Sequence, residues 1–187
     1  MHADGYRSRM DPTVRSLDVT FELCWQRLSS RLDGMGDREF LWEPVPHSWS
    51  VRPDESGQWV MDGSREQVDP EPVTTIAWRT AHLGGLVFAG FAHWVRDGGS
   101  PYGVSFDAPS TAEGARSFLA TNYAWWREGM TVFPASRLYD PLGEVFGPFS
   151  ESNAIDLFLH VLDEFIHHAA EIALLRDLYG RLGSETA

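Results

Sequence analysis

The placement of proline constrains this chain more than any other feature, because proline lacks a backbone donor and clashes with the preceding turn, so a helix interior excludes it. Five of the eleven prolines, Pro44, Pro46, Pro53, Pro70 and Pro72, stand between Gly36 and Thr74, and Pro134, Pro141 and Pro148 crowd residues 132–150. Most of the remaining sequence reads as four helices. The first begins at Asp11-Pro12, an acidic cap followed by proline at the first helical position, and repeats apolar residues at Val14, Leu17, Phe21, Cys24, Leu28 and Leu32. Gly34 and Gly36 close it. Thr74-Thr75 caps a second helix that runs to about Arg96 and closes at Gly98-Gly99; its Ala81, Gly84, Gly85, Ala89 and Gly90 let another helix approach closely. Ser110-Thr-Ala-Glu113 is a capping-box pattern ahead of a third, through Phe118, Leu119, Tyr123, Trp126 and Met130. Ser152 or Asn153 caps the last, from about Ala154 to Tyr179, which Gly180 ends.

Four long helices with two long connections and no internal repeat predict an all-α four-helix bundle with long crossovers. Within the first crossover, Trp49-Ser-Val51 and Trp59-Val60-Met61 flank a Pro-Asp-Glu-Ser-Gly turn, which predicts a short β-hairpin between helices 1 and 2. A single domain is expected over residues 1–187, with 1–10 a loose end. At 187 residues, 43% of them hydrophobic, the chain can bury a core without disulfides or a structural metal. Any metal it carries is free to be functional.

Charge and composition exclude several functions. Fifteen basic against 27 acidic residues leave a net charge of −12, with no arginine stripe to track phosphates, so nucleic acid is not an expected partner. Every basic side chain is Arg; without Lys there is neither Schiff-base chemistry nor a Walker-type phosphate lysine. The single cysteine, Cys24, cannot form an intrachain disulfide, and in the seam of helix 1 it reads as a small core residue. No signal-peptide pattern opens the chain, and a cytoplasmic location is expected. Ile76 to Val95, the most apolar stretch, is interrupted by Arg79, His82 and His93, so no membrane span is expected.

The last helix holds the candidate chemistry. At about 100° per residue and with Glu164 at zero, Leu157, Phe158, Val161, Leu162, Phe165 and Ile172 fill an apolar arc from about 20° to 160°. His168 falls inside it at about 40°, while His160 and His167 drift toward the polar side. Glu164 and His168 are one turn apart and can converge. His82 shares a helical face with Trp78, Gly85, Leu86 and Ala89, the side expected to meet the core. On spacing alone two readings stand: a hydrogen-bonded Glu164–His168 pair with His82 unrelated, or a three-ligand metal site with an open position. Glu-x-x-x-His is common by chance. His160, one turn before Glu164, is either a supporting partner of that carboxylate or a surface residue. His93 lies about 16 Å along the axis from His82, too far for the same ion, and reads as a satisfied helix-end histidine. His47 and His2 read as solvated.

The tract Thr74-Thr-Ile-Ala-Trp-Arg-Thr-Ala-His82 and the later His160-Val-Leu-Asp-Glu-Phe-Ile-His-His-Ala-Ala-Glu-Ile-Ala-Leu-Leu-Arg-Asp-Leu-Tyr179 resemble the DinB/YfiT-like superfamily, in its actinobacterial branch. Trp42-Glu-Pro44 and Trp49-Ser-Val-Arg52 resemble the same branch, so the likeness covers nearly the whole chain. The resemblance implies a four-helix bundle whose pocket holds a divalent metal. Many members use three histidines; here Glu164 stands at one of those positions, as in the His, Glu, His set of the mycothiol-dependent maleylpyruvate isomerases. It therefore implies His82, Glu164 and His168 as ligands of zinc or nickel, and mycothiol as a possible thiol cofactor. The isomerase's additional C-terminal domain finds no residues here, so isomerase activity itself is not expected.

The resemblance and the residue pattern together lead to the expectation of an enzyme in which metal activates a low-molecular-weight thiol for transfer to a small electrophilic substrate. That substrate would enter past Trp78, with Arg79 either anchoring a substrate carboxylate or bracing the structure. A metal-dependent hydrolase and a non-catalytic dimeric binding module are the alternatives. Eight tryptophans, among them Trp25, Trp125 and Trp126, lead to the expectation of a homodimer that buries some of them across its interface.

Overall fold

The structure is a computed structural model that describes residues 10–64, 66 and 68–183. The loose end expected at 1–10 lies outside these residues except for Met10, as does His2. Helix α1 (Pro12–Leu32) starts where Asp11 accepts hydrogen bonds from the N–H groups of Thr13 and Val14. All six of its predicted apolar positions are buried. A single-turn α2 (Asp37–Phe40) follows, and then the hairpin of β1 (Val51–Pro53) and β2 (Trp59–Met61), antiparallel with Val51 opposite Met61. Its turn is built by Asp54, whose Oδ1 accepts from Ser56 and Gln58 N–H, and by Gly57, whose φ of 85° few side chains tolerate.

The second helix is one rod in three parts: α3 (Ile76–Ala81), a π-helical segment (His82–Ala89) and α4 (Gly90–Asp97). Thr75 caps it by accepting from Trp78 N–H, and Gly98 ends it in the left-handed conformation. Its glycines take close neighbours: a Cβ on Gly84 would meet the Phe118 ring, and one on Gly90 the carbonyl oxygen of Pro101. Helices α5 (Ala112–Val132) and α6 (Ala154–Leu182) complete the bundle, in which α1 and the rod stand diagonally and each packs on both α5 and α6.

The four-helix, all-α architecture with a small hairpin is therefore the one the sequence predicts, with local differences. The cap of α5 is Thr111, not Ser110, bonding Gly114 N–H. Gly180 does not end α6, which runs on to Leu182; nothing crowds Gly180, and its cost of about 1 kcal/mol is small beside the packing of the rest of the helix. The face of the rod expected to be core throughout is covered at Trp78, by the Trp49 ring and by a bond to Asp62, but open at Leu86, which is 45% exposed.

Aromatic rings fill the centre. Trp126 is fully buried between Phe21 and Phe158, and Phe165 packs on Phe21, Phe88 and Tyr123. Trp25 stacks on Tyr123 at 4.6 Å. Two ion pairs tie helices together from inside: Arg127 of α5 grips the buried Asp18 of α1 at 2.5 Å, and Arg176 of α6 forms a bidentate pair with Glu39 of α2 at 2.6 and 3.1 Å. No described helix is long and apolar enough to cross a membrane.

Candidate metal centre

Three donor side chains converge where the start of the π segment meets α6. Glu164 Oε2 lies 3.2 Å from His82 Nε2 and 3.0 Å from His168 Nε2, and one donor atom from each residue falls within 4.8 Å of the others. The chain folds this way locally because α6 presents Glu164 and His168 one turn apart, while the cap at Thr75 sets the start of the rod two turns before His82. Winding switches from α to π at His82 itself, a distortion that recurs at functional sites.

A residue without an assigned role in the sequence completes the cluster. Glu171, seven residues after Glu164 on the same helix face, brings Oε2 to 2.7 Å from Nδ1 of His168. Arg79 reaches the same carboxylate oxygen with Nε at 2.9 Å, an ion pair not aligned as a hydrogen bond, and lies over the Trp78 ring. Arg79 thus meets a carboxylate of its own chain. Trp78 stacks on His82, with 5.1 Å between centroids and 9° between planes, and donates from Nε1 to the carbonyl of Asp62. Spacing carries the signal for Glu171, since it follows His168 by three residues.

The donor set suits a cation. A neutral His168 has one ring proton for two carboxylates: Glu171 Oε2 lies 2.7 Å from Nδ1 and Glu164 Oε2 3.0 Å from Nε2, while Arg79 Nη1 faces Nδ1 at 3.3 Å. With the proton on Nδ1 the Nε2 lone pair is turned to Glu164, where a positive ion can lie between them; with the proton on Nε2, that nitrogen donates to Glu164 and Nδ1 accepts from Arg79. Burial drives the His82 pKa down, outweighing the Glu164 hydrogen bond that raises it, and so favours the neutral, metal-ligating imidazole. Burial alone would raise Glu164, but the bond from His82 and the neighbouring His168 bring it below the ordinary carboxylate value; Glu171 is lowered in the same way by His168 and Arg79. Both acids are therefore ready as anions. A second group, His167, His168 and Glu171, also has ligand atoms in range, but it uses the Nδ1 edge and the exposed His167.

The other histidines lie elsewhere. His160 is exposed, sets its ring edge-on to Phe91 at 5.7 Å, and has no hydrogen bond to Glu164. His93 pairs with Asp97 one turn on, and His47 is exposed. Cys24 is buried, 3.4 Å from Arg27 Nη2.

Comparison with protein families now bears on this geometry: the family model described as the DinB superfamily matches residues 20–172. The chain belongs to the DinB superfamily. Neither curated proteins nor solved structures give a match. The matched region holds all of the residues gathered around His168, and DinB-like proteins include metal-dependent enzymes.

Proposed function

We propose that His82, Glu164 and His168 hold one divalent metal, zinc or nickel, and that this DinB-superfamily chain is an enzyme that transfers a low-molecular-weight thiol of the mycothiol type to a small electrophile. The observation that carries the reading is the convergence of one ligand atom each from His82, Glu164 and His168 within 4.8 Å of one another, at a half-buried carboxylate that a shared dication would pair. Two neutral imidazoles and one carboxylate leave a dication with a net charge of about +1. Such a metal with an open position lowers the pKa of a bound thiol and supplies a nucleophile at neutral pH.

The protein's own residues do the rest. Glu171 fixes the tautomer of His168, Arg79 holds Glu171 in place, and Trp78 fixes the plane of His82 by stacking. Trp78 and Trp49 form an apolar wall beside the three donors, against which a substrate can lie.

The reading includes a homodimer. Its support is not the tryptophan content, since Trp126 and Trp25 pack within the protomer, but Leu23 and Ile166, each about half exposed, on one groove of about 920 Å³ between α1 and α6. Light scattering that gives a protomer mass at micromolar protein ends that part.

Elemental analysis of tag-free protein tests the centre, and a conjugation assay with mycothiol and electrophilic substrates tests the activity. One zinc or nickel per chain with thiol consumption is the expected result. Metal without thiol transfer leaves the hydrolase, and a protein that takes up no metal is a binding module.

A further inference from the structure

A second cavity, of about 250 Å³, opens between the rod, α6 and the connection before it, lined by Phe91, Tyr102, Phe146, Phe149, Asp156 and His160. Its walls are aromatic on several sides. The rings of Phe91 and Phe146 are parallel within 5° with centroids 6.4 Å apart, and Tyr102 meets Phe146 at 70°. Tyr102 and Phe149 are left 67% and 63% exposed at the rim, a costly position for rings that only pack. The one carboxylate is Asp156. Its Oδ2 accepts from Asn153 N–H in the cap of α6, and no Arg among the described residues pairs with it.

We infer that this cavity is a binding site for a small organic cation, of the alkyl- or trimethylammonium class. Ring faces carry negative potential and attract an ammonium group that has a thin, diffuse hydration shell, and a carboxylate at the same wall adds full charge. A neutral apolar ligand would gain from the rings alone and make no use of the Asp156 charge. An anion would meet that carboxylate and a chain of net charge −12. The site is separate from the three proposed metal ligands: it lies beyond His160, with Phe91 nine residues past His82 on the rod.

A quaternary ammonium tests this because its nitrogen has no lone pair for a metal, and the one group of choline that could ligate, its hydroxyl, is shared by the neutral control. Binding of choline to the full chain is compared, by ligand-observed NMR titration, with binding of 3,3-dimethylbutan-1-ol, its neutral isostere. Choline is expected to bind at least about ten-fold tighter, and equally well in chelator and in added zinc. Asp156→Asn keeps an acceptor oxygen for the helix cap and removes the charge; Tyr102→Leu removes one exposed ring. Each is expected to weaken choline by several-fold and leave the neutral isostere nearly unchanged. Equal binding of the two probes, no binding of either, choline affinity untouched by both variants, or binding that appears only with zinc would each overturn the cation site. The last result would move the ligand to the metal centre, whereas the first three leave the metal reading as it stands.

Discussion

The carboxylate of Glu171 stands 2.7 Å from Nδ1 of His168, on the side of the ring away from Glu164. A histidine held at one nitrogen by an acid offers the other as a fixed lone pair, and such partners usually matter for metal affinity by ten- to a hundred-fold. Glu171→Gln is expected to weaken metal binding by about that factor. Competition against a chromophoric chelator measures it, and unchanged affinity would show that Glu171 orients nothing.

His168→Ala is expected to abolish stoichiometric metal while the helical circular dichroism and a cooperative melt persist. The bundle core is aromatic and complete without the ion. Glu164→Gln keeps the shape, removes the charge, and is expected to lose metal and thiol-transfer activity together. Metal content equal to that of the parent in both variants would place the ion elsewhere.

Much of the fold is legible in the chain. The six buried apolar positions of α1 keep to the spacing of three and four, and each of the four long helices starts at a residue whose chemistry announces it. Glu164 and His168 can be paired by one turn of helix. Glu171 escapes a sequence reading because an acid on a mixed polar margin looks like solvated surface until its partner is known. The Asp18–Arg127 pair escapes it for a related reason: Asp18 comes directly after Leu17 in α1, and burial of an acid shows only when a helix 109 residues away supplies the guanidinium. The π winding has no simple sequence mark, because the glycines that allow it also read as close helix contact.

That pair gives a stability test. Asp18 is 2% exposed, so Arg127→Met strands a buried carboxylate. The expected loss is about 3 kcal/mol, toward the lower end for broken buried pairs because Arg127 is partly exposed. Denaturant unfolding measures it. Asp18→Asn in the same background is expected to recover part of the loss, and no recovery would mean that the cost lies in Arg127 packing instead.

Two glycines should respond in opposite directions. A Cβ on Gly90 would sit 2.7 Å from the Pro101 carbonyl oxygen, a backbone atom that cannot swing aside, so Gly90→Ala is expected to cost about 1–3 kcal/mol. Around Gly180, inside α6, there is nothing within 4 Å, and Gly180→Ala is expected to add about 0.5–1 kcal/mol. A thermal melt that does not fall for Gly90→Ala would contradict the close approach to Pro101, and one that does not rise for Gly180→Ala would contradict the open space around Gly180.

His82 and Phe91 are nine residues apart on the rod, and nine steps of about 100° would set them roughly half a turn from each other in an unbroken α-helix. Yet His82 meets Glu164 and Phe91 meets His160, both on α6. The wider turns between His82 and Ala89 absorb the difference, so the π segment acts as a phase shifter that lets a single rod address one partner helix at two stations. Restoring α winding over the same number of residues would swing Phe91 away while leaving His82 in place. Metal binding and cation binding would then come apart in a chain that keeps every side chain of both sites.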